Sequence, residues 1–171
     1  TIADCSSNGL TLTATGTAQL DTAQSKFGTA SLLAAASSQV ECSSTSGFDF
    51  GSGDFTVEAW PRATAVSGDN SICGMWKVGD TSWPFGVFAG KLGFYYNNDG
   101  TEVFSTVGGT ISTSTFYHLA ASRVGGALRL FVDGSVVAMK GFAGVNIRTV
   151  SATKFAIGAH DTNGGVFSGH I

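Results

Sequence analysis

Chemistry in this chain would have to come from its few glutamates, its three histidines and its aromatic residues. Cleavage of a glycosidic bond needs two carboxyl groups about 5–9.5 Å apart. Glu41, Glu58 and Glu102 are far apart in sequence, and no strand carries E-x-D-x-E, which would set three carboxylates on one face. Asp54 and Glu58 share a strand face, but four residues of strand separate them by ~13 Å, too far for a catalytic pair. His118, His160 and His170 are too scattered for a local metal motif, and H-E-x-x-H, G-x-S-x-G, G-x-G-x-x-G and a phosphate-binding loop are all missing from the sequence. The chain is predicted to be no enzyme.

What remains is recognition by stacking and hydrogen bonding. Along 116–123 the alternation puts Tyr117, Leu119 and Ala121 on a core face and Phe116, His118 and Ala120 on the other. Along 128–132, Leu128, Leu130 and Val132 face the core, while Arg129 and Phe131 face out. With Glu58 and Trp60 these make a candidate ligand surface of Trp60, Phe116, Phe131, Glu58, His118 and Arg129. Sugars lay C–H faces on aromatic rings and take paired hydrogen bonds from Arg and Glu, so the composition suits a glycan. The competing reading is that Glu58 and His118 satisfy each other or nearby backbone. A second set, Trp76, Trp83, Tyr95 and Tyr96, flanks the turns at 79–82 and 97–100. Exposed loop aromatics anchor glycans or protein partners; the alternative is that they pack the hairpins.

Strands must position all of these residues. No window shows capped apolar positions at i, i+3, i+4 and i+7, whereas short alternating runs bounded by Gly, Asn, Asp and Ser recur. The clearest are 54–60, 83–89, 91–97, 101–107, 116–124, 127–133, 135–140, 154–160 and 166–171. Weaker ones are 10–15, 31–36, 39–43 and 70–77. Turns are expected at Gly90, Asn98-Asp99-Gly100, Gly125-Gly126 and Asp133-Gly134. About a dozen strands at this spacing predict an all-β sandwich or barrel. No linker, repeat or charge block divides the chain, so residues 1–171 read as a single domain.

The residues also resemble a known family. Gly53-Asp54-Phe55-Thr56-Val57-Glu58-Ala59-Trp60 is similar to the G-D-F-T-I-E-A-W strand of laminin-G-like, concanavalin A-like jelly rolls. Phe116 to Arg123 resembles their W-Y-H-V-A-V-S-R strand, and Leu128 to Gly134 their L-R-L-F-V-D-G strand. Lys26-Phe27-Gly28, Ala156 to Ala159 and Phe167 to Ile171 follow the family in order. The resemblance implies a jelly-roll β-sandwich of two antiparallel sheets. Two departures stand out. Pro61 replaces the usual Val, so that strand should end early or lie at an edge. The family's first and last strands, normally neighbours, are cut short, which implies an open edge and a piece of a longer chain. The resemblance further implies calcium held by loop oxygens, with Asp4 and Asn8 in Asp4-Cys5-Ser6-Ser7-Asn8-Gly9 as the ligands; an Asx turn gives the same composition.

Composition narrows the partners. A net charge of −3 and a pI near 5.4 argue against nucleic acid, which asks for a basic face. Only 12% of residues are charged, yet no apolar run approaches the ~20 residues of a spanning helix, so membrane insertion is not expected. Cys5, Cys42 and Cys73 are an odd count without C-x-x-C spacing and read as thiols, a Cys5–Cys42 bridge being the other option. Members of the resembled family serve as glycan-binding, adhesion and bacteriophage structural modules. The expected function is a non-catalytic virion surface module, a decoration, fibre or tail component, contacting host glycan or neighbouring virion proteins. The alternative is a carbohydrate-binding or adhesion module of a secreted bacterial protein. Location would be virion or extracellular, and a homo-oligomer stays open.

Overall fold

Alternating runs become short strands, and each interruption by Gly, Asn or Asp becomes a reversal. The computed structural model describes residues 2–35, 37–43, 45–75, 82–98, 101–103, 107–147, 154–159 and 165–171. In chain order the strands are β1 (Leu12–Thr15), β2 (Gln19–Asp21), β3 (Ser31–Ala34), β4 (Gln39–Cys42), β5 (Phe55–Ala59), β6 (Arg62–Ala63), β7 (Asp69–Met75), β8 (Trp83–Phe88) and β9 (Lys91–Phe94). They continue as β10 (Tyr96–Asn98), β11 (Thr101–Val103), β12 (Val107–Thr110), β13 (Leu119–Val124), β14 (Ala127–Val132), β15 (Ser135–Gly141), β16 (Phe155–Ile157) and β17 (Gly169–His170). A short 3-10 turn covers Ser46–Phe48, and no α-helix occurs among the described residues.

The turns expected at Gly90, Gly125-Gly126 and Asp133-Gly134 form. Asp133 and Gly134 both have positive φ, 49° and 79°, the two-residue geometry that matches the strand twist and sends β14 directly into β15. Asn98 pairs with Thr101 around a tip at 99–100 that lies outside the described residues.

Seven strands make one layer in the order β1-β4-β16-β7-β8-β9-β12. The opposing layer holds β15-β14-β13-β5 and β2-β3-β17-β6, and β10 pairs with β11 as a separate hairpin. The two four-stranded parts meet at β5 and β6. Phe55 to Ala59 pair with Arg123 to Leu119, and Arg62 pairs with Phe116 in the same register. Pro61 lies between, with no N–H to give to the ladder. It ends β5 at Ala59, as expected, and the strand resumes as β6. The expected open edge at the closing strand is not found. β17 lies between β3 and β6, and Ile171 exchanges backbone bonds with Leu32, each 2.9 Å. The edges of that layer are β2 and β15.

The core between the layers is aromatic at one end. Phe50 stacks on Phe55 at 4.1 Å and on Trp83 at 4.6 Å, and Phe48 stacks on Phe155 at 3.8 Å. At the far side the layers come close enough that a Cβ on Gly108 would lie 2.5 Å from the Val137 carbonyl, so only glycine lets β12 approach β15 there. Cys42 and Cys73 are buried and Cys5 is exposed, so no Cys5–Cys42 bridge forms. Burial pushes the Cys73 thiol up to about 12, which leaves it inert at neutral pH.

Candidate functional site

The outward face of β5, β13, β14 and β15 gathers the first set of candidates. Register fixes their places. Glu58 pairs with Ala120, Ala120 with Phe131, and Phe131 with Val136, which makes one row across four strands. The next row is Thr56, Ser122, Arg129 and Met139. On the other side Ala59–Leu119 and Arg62–Phe116 place Trp60 opposite His118. Rows on one face repeat every ~7 Å and strands every ~4.8 Å. Small Ala120 and Ser122 therefore run down the middle of a shallow channel. Glu58 and Thr56 form one wall, Phe131 and Arg129 the other, and Trp60 with His118 closes one end. Phe131 and Arg129 are half-buried, Glu58 is exposed, and Met139 is 65% exposed at the rim.

Several contacts hold this end of the face. His118 Nε2 lies 3.1 Å from Glu58 Oε2, so these two side chains do satisfy each other. The His118 amide donates to Asp133 Oδ1 at 2.8 Å. Trp60 stacks on the His118 ring at 4.8 Å, as expected for an opposed pair of the non-hydrogen-bonded type, whose side chains lie closer. Phe27 meets the indole edge-on at 5.2 Å, and Lys26 Nζ sits 4.7 Å from its centroid. Sequence reasoning missed Lys26 and Phe27 as part of the site; no periodicity ties a loop at 22–30 to a strand at 55–59. Trp60 is thus a packed post at the end of the channel, and Phe131 is the ring left along its wall.

Parity decides the second set. Trp83 follows Phe85 and Val87 into the core and is 1% exposed, its Nε1 donating to the Phe48 carbonyl at 3.0 Å. Tyr96 follows Leu92 and Phe94 inward and packs edge-on against Phe142 at 4.5 Å. Neither is a loop anchor, because each continues the buried face of its strand. Tyr95 points the other way and is half-buried beside Phe88, 4.4 Å between rings. Burial first and the Asp69 charge second push its hydroxyl up. Trp76 and His160 lie outside the described residues.

The Asp4 loop is a turn closed on itself. Asp4 Oδ1 accepts the Ser6 amide at 2.8 Å, and Oδ2 accepts the Ser6 hydroxyl and the Leu10 amide, each at 2.7 Å. These bonds hold the Asp4 carboxyl below the usual range, with the Leu10 amide foremost. The Asn8 amide donates to Ser6 Oγ at 3.2 Å. N–H groups converging on the carboxylate present positive ends, so Asp4 and Asn8 fit an Asx turn and not a site for a hard cation. No cluster of three or more His, Cys, Asp or Glu with metal-binding geometry occurs among the described residues.

One polar group was not foreseen. Glu41, buried on the outward face of β4, accepts from Gln39 Nε2 at 2.7 Å and from Lys154 Nζ. Burial alone would push its carboxyl up, but the Lys154 and Gln39 bonds win and hold it below the usual range. Glu41 and Lys154 are 113 residues apart, beyond any local motif.

A jelly roll of antiparallel sheets with a polar and aromatic sheet face is the class that fold and face define. The chain belongs to the laminin-G-like group of the concanavalin A-like lectin/glucanase superfamily, whose family model matches residues 34–171. Comparison with curated protein sequences gives no match. Among solved structures, the chain is similar to domain 4 of AbnA, an extracellular arabinanase of Geobacillus stearothermophilus, solved with arabinotriose. Identity there is 18% and the TM-score 0.64, over 95% of this chain and 78% of that one. It is also similar to the carbohydrate-binding module of a Ruminococcus gnavus sialidase bound to sialyllactose, with 16% identity and TM-score 0.58 over 69% and 72% of the two chains. The binding domain of botulinum neurotoxin DC matches with 13% identity and TM-score 0.66, over 92% of this chain and 41% of that one. These likenesses give no support to a bacteriophage or virion role.

Proposed function

We propose that this chain is a non-catalytic carbohydrate-binding module that works outside the cell, and that the β5–β13–β14–β15 face is its site. The observation that carries the reading is the channel itself. Register places Phe131, Arg129 and Glu58 around a floor of Ala120 and Ser122, a ring and polar groups at the spacing of a short oligosaccharide. Glycan-binding relatives of the same fold favour this over a virion module. Glu58 and Asp133, the carboxylates beside the channel, are both engaged by His118, the one at its ring and the other at its amide.

The test is a glycan-array screen of the domain, followed by calorimetry on the best hit. Binding should fall at least tenfold in Phe131→Ala, and the bound sugar should be recovered uncleaved. Turnover of the glycan, or binding that survives Phe131→Ala unchanged, would count against the assignment.

A further inference from the structure

The acids and the bases of the proposed face are in opposite states. Its acids are spent on the chain itself. Glu58 is tied to His118, Asp133 accepts the His118 amide, and Asp21 accepts from His170 at 2.8 Å. Asp54, at the end of β5, accepts the Gly125 amide at 3.2 Å. Its arginines are not spent. Arg62 and Arg129 make no ion pair and no side-chain hydrogen bond among the described residues, and Lys26 has only the Trp60 ring. The carboxylates keep their charge, so what sets the two guanidiniums apart is that they have no acceptor among the described residues.

Their placement is regular. Arg129 lies in the row of Thr56 and Arg62 three rows away on the same face, ~20 Å along the sheet, with Trp60 and Phe131 between. A guanidinium left without an acceptor is matched by a planar carboxylate, which takes two parallel N–H bonds. A neutral sugar would leave both forks with water or single hydroxyl contacts.

We infer that the ligand of this face is an acidic glycan, an oligosaccharide carrying carboxylate groups that Arg129 binds at the channel wall and Arg62 binds one row beyond the Trp60–His118 end. The inference rests on the glycan-binding reading and names the class of sugar. Phe131 gives the apolar contact, and the unpaired arginines select charge. Charge-assisted contacts at the two guanidiniums make binding sensitive to salt.

The experiment compares neutral, carboxylated and sulfated oligosaccharides on one array, then measures hexagalacturonate, long enough to span the two arginines, against its methyl ester by calorimetry. The ester has the same rings without the charges. Preference for carboxylated glycans, with the ester at least tenfold weaker and affinity falling with added salt, is the expected result. Arg129→Gln and Arg62→Gln should each lower affinity for the best carboxylated hit about tenfold with no loss of melting temperature. Binding of neutral glycans alone, or of sulfated ones alone, overturns the inference and leaves the carbohydrate-binding module standing. Carboxylate binding that survives both substitutions also overturns it. No glycan bound at all removes both.

Discussion

The Tyr117 amide donates to the Pro61 carbonyl at 3.2 Å, and the Tyr117 carbonyl gets no bond back from Pro61, which has no N–H. In a hydrogen-bonded antiparallel pair the two residues exchange both bonds, so proline costs this ladder one. The register nevertheless passes through unchanged, from Ala59–Leu119 to Arg62–Phe116. Pro61→Val restores the donor, worth about 0.5–1.5 kcal/mol, and gives the unfolded chain back about 0.4–1 kcal/mol of freedom. The two nearly cancel. The melting temperature should move by less than about 4 °C, while the amide that the substitution introduces becomes protected from hydrogen exchange. Fast exchange of that amide would show that the ladder does not close there.

Removing rings should separate core from site. Trp83→Ala deletes a buried indole that touches Phe50, Phe94 and Phe155, and should cost about 3–5 kcal/mol. Phe131→Ala, on the outward face, should cost about 1 kcal/mol or less. Urea midpoints at pH 7 test the contrast, and equal losses would place Phe131 in the core.

The same contrast shows what could be read from the chain. Period-two alternation needs only the identity of neighbours, so it placed Leu119, Ala121, Leu128 and Leu130 inward and His118, Arg129 and Phe131 outward. It would also have buried Trp83 and Tyr96, had they been counted with Phe85 and Phe94 and not with the adjoining turns. β2 and β6 escaped because two or three residues carry no period, and β12 because Gly108 and Gly109 have no side chains to alternate. Lys26 over Trp60, and Lys154 on Glu41, are contacts between distant segments that only the assembled sheets bring together.

Glu41 gives the protein a defined response to acid. Its folded-state carboxyl titrates below the unfolded one, so its contribution is present above the usual carboxylate range and is lost as pH falls through the lowered value. Asp4 and Asp21 are lowered as well and act in the same direction. Lys154→Met removes the largest of the bonds that oppose burial. Glu41 should then titrate higher, and the variant should gain less stability than the parent between about pH 3.5 and 6. Urea unfolding across that range measures it; parallel curves for the two proteins would mean that Lys154 does not set the Glu41 charge.

The Asp4 turn should stand without metal. Asp4→Ala leaves the Ser6 and Leu10 amides without their acceptor and should lower the melting temperature slightly, as for loss of a cap. Chelator should leave the melting temperature of the parent unchanged, and millimolar calcium should not raise it. A calcium-dependent rise that disappears in Asp4→Ala would restore Asp4 as a ligand.

Arg123 is the one buried Lys or Arg among the described residues, 4% exposed on the core side of β13. Among the described residues no carboxylate pairs with it. Its guanidinium donates to the Gly51 carbonyl at 3.3 Å and the Phe142 carbonyl at 3.4 Å, and lies 5.2 Å from the Phe142 ring centroid. The planar fork thereby ties the segment before β5 to the segment after β15, two pieces of chain that otherwise meet at the isolated Gly51–Ile147 bridge. Arg123→Ala would remove one of two donors from each carbonyl, since Gly51 also accepts the Ile147 amide and Phe142 the Val145 amide, and would open a cavity, at about 2–4 kcal/mol. Arg123→Lys keeps the charge but offers no planar fork, so it should recover only part of the loss. Arg123→Met fills the volume without donors, and its deficit relative to the parent isolates the two carbonyl bonds. If methionine matches arginine in urea midpoint, packing against Phe142 and not hydrogen bonding holds this end of the sandwich.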